Sequence, residues 1–254
     1  MIQAVLFDIG GTLHTVANSE ALARAFARRL IDRLAVYGIA IPAPPDAFAR
    51  RLHENAEEYK LWSEGTLREL PAPKIWNEYY LRQYCVGEET LAPIAEELSF
   101  LYDYERVCNK RRPRLVETME ELRRMGMRMG IVSNIISTSF GPHMVNEYGI
   151  AEYMECIVMS SVTGCRKPGA EIFNIAMERL GVAKERTAYV GDTISRDVLG
   201  ARNAGLALMI QIKNPAIAHR DKAFAGKGPK PDFLIDELYE IPAVIREYNL
   251  AHHH

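Results

Sequence analysis

The sequence is poor in cysteine. Its four, Cys85, Cys108, Cys156 and Cys165, are widely spaced and form no C-x-x-C pair. That pattern fits reduced thiols in a cytoplasmic protein better than a disulfide framework or a cysteine zinc site. No apolar run approaches the roughly 20 residues needed to span a bilayer, so no membrane partner is expected. No basic-then-apolar leader precedes the first strand, which again points to the cytoplasm. An excess of one charge is missing too: 31 Lys and Arg stand against 33 Asp and Glu, for a net charge of −2. This balance argues against nucleic acid or an anionic membrane as the main partner. There is no internal repeat and no low-complexity segment.

What is present is ordinary for a soluble globular chain: 254 residues, 48% hydrophobic and 25% charged. That length can bury a large core, as one large domain or two unequal ones. Residues 251–254, Ala-His-His-His, read as a purification-tag remnant, and their histidines are set aside. The organising stretch is residues 3–13, where the apolar run Ala4 to Phe7 ends in Asp8 and is followed by Gly10, Gly11 and Thr12. The run predicts a buried strand, and the glycines predict a tight turn that brings backbone N–H groups close to whatever sits over Asp8.

Residues 16–108 read as helix after helix. Apolar stripes run through Leu22, Phe26, Leu30 and Leu34; then Phe48, Leu52 and Tyr59; then Ile75, Trp76, Tyr79 and Tyr80; then Leu91, Ile94, Leu98, Leu101 and Tyr102. Four successive amphipathic helices predict a small bundle with its own core. From residue 114 the pattern alternates. Strands are expected at 128–132, 156–159, 188–190, 206–212 and 232–235, with helices between them, one of them capped by Ser195. Strands separated by helices of this length imply a parallel sheet covered on both faces. The expected fold is therefore α/β, a doubly wound parallel-sheet (Rossmann-like) core from residues 1–15 and 109–250, with residues 16–108 inserted as an α-helical cap.

Ligands of an open parallel sheet bind beyond the carboxyl ends of its strands. Three strands here end in polar residues: Phe7-Asp8, Val132-Ser133-Asn134 and Val190-Gly191-Asp192. Together they would build a site with two facing carboxylates, which need a cation or a shared proton. All-oxygen ligands favour Mg²⁺ over zinc. Asp197 could join that site, its alternative being a helix N-terminal acid. Lys167, in the Gly164-to-Gly169 loop, would offset the negative charge.

Asp8-Ile9-Gly10-Gly11-Thr12, Ser133, Lys167-Pro168 and Gly191-Asp192-x₄-Asp197 follow the order and approximate spacing of four motifs. In this the chain resembles the haloacid dehalogenase-like hydrolase superfamily, and the helical insertion resembles that superfamily's first type of cap. The resemblance implies a hydrolase acting on a small phosphorylated substrate, with Asp8 as nucleophile forming an aspartyl-phosphate. It further implies that Gly11, Thr12, Ser133, Asn134 and Lys167 surround the phosphoryl group, with Ser133 and Lys167 assisting the chemistry. Asp8, the Gly10 carbonyl and Asp192 would hold Mg²⁺, supported by Asp197.

The sequence departs from the pattern at Gly10, where superfamily phosphatases usually carry a second aspartate as acid and base. Three explanations stand open. A phosphatase could manage with a good leaving group, or with water or a cap residue in that role, His14 being the nearest titratable candidate. The chemistry could be dehalogenation or phosphonate cleavage; Gly191-Asp192 is intact, unlike in the dehalogenases resembled, and neither Lys60 nor Lys74 sits in a recognised Schiff-base context. Or the scaffold could bind phosphate with little turnover. Arg51, Lys60, Trp62, Arg68, Trp76, Tyr79 and Tyr80 are the candidates to face the site from the helical segment.

Overall fold

The computed structural model describes residues 1–217, 220–224 and 228–252. Of the expected tag residues, His253 and His254 lie outside the described residues. The centre is a six-stranded parallel sheet in the order β5-β4-β1-β6-β7-β8. Its strands are β1 (Ala4–Phe7), β4 (Arg128–Ser133), β5 (Cys156–Met159), β6 (Thr187–Gly191), β7 (Leu208–Ile212) and β8 (Phe233–Ile235). β1 pairs with β4 on one side and β6 on the other, so the strand order reverses around it. A crevice at the carboxyl end of β1 is the expected consequence, and it is where Asp8 stands.

Both faces of the sheet are covered, which is why its strands read as unbroken apolar runs. Val5 and Phe7 pack into one cluster with Leu115, Met119, Met144 and Ile245, from helices Leu115–Arg124, Phe140–Glu147 and Ile241–Ala251. Ala4 and Leu6 pack into the other with Ile172, Phe173, Ala176 and Ala201, from helices Ala170–Leu180 and Leu199–Ala204. Alternate residues of one four-residue strand thus serve opposite layers.

The helical segment has a separate apolar cluster, including Phe26, Leu30, Phe48, Tyr59, Trp76, Tyr80, Leu98 and Tyr102. Helices Glu20–Val36 and Pro45–Thr66 form its first pair. The third expected helix is helix Ala72–Lys74 continued by a wider π turn, Ile75–Tyr80. The fourth splits into Glu88–Leu91 and Ala95–Glu105, because Pro93 lacks the N–H that would continue the first piece.

Two features differ from expectation. A short antiparallel ribbon, β2 (His14–Ala17) with β3 (Cys108–Arg111), joins the two ends of the helical segment. Ser195 does not cap a helix. It lies inside the turn Ile194–Val198, whose Ile194 N–H donates instead to Asp221 at 3.0 Å.

Candidate functional site

The strand ends converge as the order of the sheet requires. Asp8, Ser133, Lys167, Asp192 and Asp197 are all buried. Ser133 Oγ donates to Asp8 Oδ1 at 2.7 Å, and Lys167 Nζ lies 3.0 Å from the same oxygen. Among the described residues nothing hydrogen-bonds Asp8 Oδ2. Lys167 Nζ also donates to Asp197 Oδ1 at 2.7 Å and to the Tyr189 hydroxyl at 2.8 Å. Asp197 Oδ2 accepts from the Thr193 N–H and hydroxyl at 3.0 and 2.6 Å. Both Asp197 oxygens are therefore engaged by the protein. Asn134 clamps Lys167 from behind: its amide nitrogen donates to the Lys167 carbonyl and its oxygen accepts from the Lys167 N–H, each at 3.0 Å.

Carboxylate oxygens of Asp8, Asp192 and Asp197 lie within 4.8 Å of one another. Asp192 Oδ2 accepts from Asn214 Nδ2 at 2.7 Å, whereas its Oδ1 is buried with no partner. Burial and then the charges of Asp197 and Asp8 push Asp192 up to about 8. Burial works against ionisation of Asp197 as well, but Lys167 and Arg196 outweigh it and hold that carboxyl well below its usual range. A carboxylate disfavoured by its own neighbours, with an oxygen left bare, fits a divalent cation as the missing partner.

The turn after Asp8 is shaped by Gly11, whose φ is +81°. A Cβ there would fall 1.9 Å from Asp192 Oδ2, so glycine is required at this position. Arg112 donates to the Gly11 carbonyl and to the Lys213 carbonyl, each at 3.0 Å, and ties the turn to the loop after β7. Thr12 is buried and its hydroxyl has no partner among the described residues. Nothing lies within 4 Å of a Cβ at Gly10. His14 is buried with Nδ1 2.9 Å from the Tyr148 hydroxyl, and burial, then Arg112, lowers it to about 4. It is therefore held in the neutral form at pH 7 and is a poor general acid there.

A cavity of about 200 Å³ opens over Asp8, and its lining includes Gly10, Ser133, Lys167, Asp192, Asp103, Arg106 and Arg196. None of the helical-segment candidates lines it. Trp76 and Tyr80 are buried in the helical cluster, and Tyr79 and Trp62 pack around Tyr59. Arg51 and Lys60 pair with Glu54 and Glu57, each at 3.0 Å, and Arg68 lies 3.9 Å from Glu171. The residues that face Asp8 come from the end of the last helix of the segment and the chain that follows it. Sequence reading also missed Tyr189, Arg112 and Asn214. Only Tyr189 gave a signal, as a polar tip inside an apolar strand that needs a partner when buried.

The profile of the haloacid dehalogenase-like hydrolases matches residues 2–205. The chain is 29% identical to the glyceraldehyde 3-phosphate phosphatase of Methanopyrus kandleri, over 97% of this chain and 98% of that one. It is 31% identical to the phosphoserine phosphatase of Thermus thermophilus, over 94% of this chain and 90% of that one. Among solved structures, the 2-haloacid dehalogenase of Pseudomonas syringae pv. Tomato shares the fold. It superposes with a TM-score of 0.67 at 22% identity, over 98% of this chain and all of that one. With the strand ends, the four motifs and the profile in agreement, the chain belongs to the haloacid dehalogenase-like hydrolases.

Proposed function

We propose that the chain is a Mg²⁺-dependent phosphohydrolase of small phosphorylated metabolites, with Asp8 as the nucleophile. The observation that carries the reading is Asp192, buried beside two other carboxylates with Oδ1 unpartnered. The phosphatase names of the sequence relatives support it. An intact Asp192 counts against dehalogenation, which needs no cation here.

Asp8, the Gly10 carbonyl and Asp192 would hold Mg²⁺, which when bound neutralises the charge of the phosphoryl group. Ser133 and Lys167 both use Asp8 Oδ1, which leaves Oδ2 as the attacking oxygen. Attack on phosphorus forms the aspartyl-phosphate and breaks the bond to the leaving oxygen. Lys167, steadied by Asp197 and Tyr189, offsets the charge of the transferring group. Water then attacks phosphorus, releases phosphate and restores Asp8. Since Gly10 has no side chain and His14, held neutral by burial, is a poor acid, the leaving oxygen takes its proton from solvent. Good leaving groups are favoured, and the second step is slow. The helical residues act as a cap over this cavity. The reduced cysteines and the absence of a membrane-spanning helix among the described residues are consistent with a cytoplasmic setting.

The test is hydrolysis of an aryl phosphate with Mg²⁺, with chelator, and with the Asp8→Asn protein. Activity that needs Mg²⁺ and vanishes in Asp8→Asn is expected. Turnover of a haloacid untouched by chelation would replace the reading with dehalogenation.

A further inference from the structure

We propose that Asn214 is a positioning residue for the cation site: it holds one oxygen of Asp192 and so keeps the other free for the metal. This rests on the phosphohydrolase reading of the site, which needs the cation. Asn214 stands in the loop after β7 and lines the cavity over Asp8. Its Nδ2 donates to Asp192 Oδ2 at 2.7 Å, and its Oδ1 accepts from the Ala216 N–H at 3.3 Å. An ionised carboxylate only accepts, so the amide nitrogen is the end that must face it.

Asp192 is gripped at two points from the same side. Gln211, next to last in β7, donates from Nε2 to the Asp192 carbonyl at 3.1 Å. The strand and its loop thus hold both the main chain and the side chain of one residue. Opposite them, Gly11 leaves room for the pair: a Cβ there would lie 1.9 Å from Asp192 Oδ2 and 2.6 Å from Asn214 Nδ2. The loop is itself anchored. The Lys213 N–H donates to the Ile235 carbonyl at 2.9 Å, and the Lys213 carbonyl accepts from the buried Arg112 at 3.0 Å. The same guanidinium reaches the Gly11 carbonyl at 3.0 Å and the Asp236 carbonyl at 3.3 Å. Arg112 thereby fastens the turn after β1 to the loops after β7 and β8.

A carboxylate free to turn about its Cβ–Cγ bond offers a metal either oxygen and loses that freedom on binding. With Oδ2 taken by Asn214, only Oδ1 remains, and it is buried without a partner. The ligand is set before the cation arrives. Among the described residues no other side chain hydrogen-bonds the Asp192 carboxylate, so the task falls to Asn214 alone. Partners that orient a metal ligand without touching the metal are typically worth about 10–100-fold in affinity.

The probe is Mn²⁺, which suits the same oxygen ligands as Mg²⁺ and whose free form is counted by electron paramagnetic resonance. The full-length wild-type protein, Asn214→Ala and the near-isosteric Asn214→Leu are titrated with it in the absence of substrate. Both variants should raise the Mn²⁺ dissociation constant by about 10–100-fold. The Mg²⁺ concentration for half-maximal hydrolysis of an aryl phosphate should rise by a similar factor, with little change in KM for the ester at saturating Mg²⁺. Raising Mg²⁺ should also return most of kcat, which a folding defect or a lost substrate contact would not allow. A Mn²⁺ dissociation constant in Asn214→Ala close to that of the wild type would overturn the inference. So would a loss confined to Asn214→Leu, which would assign the effect to bulk, or a fall in kcat that saturating Mg²⁺ does not restore. A wild-type protein that binds Mn²⁺ but hydrolyses no ester would sink the phosphohydrolase reading alone, because the dissociation constants would still decide the role of Asn214.

Discussion

Gly10 and Gly11 are adjacent and have opposite requirements. A Cβ at Gly10 meets nothing within 4 Å, so an aspartate fits there. Gly10→Asp should supply the missing acid and raise kcat for an alkyl phosphate, a poor leaving group, by about 10²–10⁴. Gly11→Ala should instead abolish Mg²⁺-dependent activity, since its methyl would displace Asp192 and Asn214. His14 gives a prediction in pH. Its folded value is about 4 against an ordinary 6.5, so the unfolded chain binds a proton that the fold refuses. Stability is full above pH 6.5 and falls as pH drops from 6.5 to 4, by about 2 kcal/mol at pH 5. Urea midpoints at pH 7 and pH 5 should lie closer together in His14→Gln than in the wild type. Asp8, Ser133 and Asp192 were legible in the sequence because each follows or ends an apolar strand, Lys167 because its loop is stiffened by glycine and proline, and Asp197 only by its spacing five residues beyond Asp192. Arg112 and Asn214 were not, since their partners lie far away along the chain and only the folded sheet edge brings them together.

At the scale of elements, the sharpest junction is residues 67–69 against 164–166. The Glu69 N–H donates to the Gly164 carbonyl at 2.9 Å, and the Arg166 N–H donates to the Leu67 carbonyl at 3.1 Å. Beneath them the Glu69 carboxylate is buried and receives Arg166, the Tyr59 hydroxyl and, at 2.6 Å, the Ser160 hydroxyl. Glu69→Ala would leave the Arg166 charge buried and alone, and should cost about 3–5 kcal/mol in chemical denaturation. Because Lys167 is the next residue, the same variant should also weaken activity. The strands of the sheet were legible as apolar runs that stop at a polar residue. The β2–β3 ribbon was not, because its four-residue strands are largely polar and exposed and lack a buried face to set the period. The π turns at 75–80 and 194–198 left no mark either, since an i→i+5 turn keeps nearly the spacing of a helix.

For the whole molecule, the alternation of strands and helices after residue 114 was enough to read the sheet, and with it the edge on which the site stands. What faces that edge was not readable. Helical periodicity separates core from solvent but says nothing of how one layer sits over another. The residues over Asp8 proved to come from around 103–109 rather than from the aromatic stripe. We propose Asp8 as a nucleophile whose phosphorylated form breaks down slowly for want of a base at Gly10. The most direct measurement is mass spectrometry of acid-quenched protein after mixing with Mg²⁺ and an aryl phosphate. We expect one added phosphoryl group on the peptide that contains Asp8, present during turnover and missing from Asp8→Asn. Steady turnover with no phosphoryl group on that peptide, or undiminished turnover by Asp8→Asn, would contradict the account.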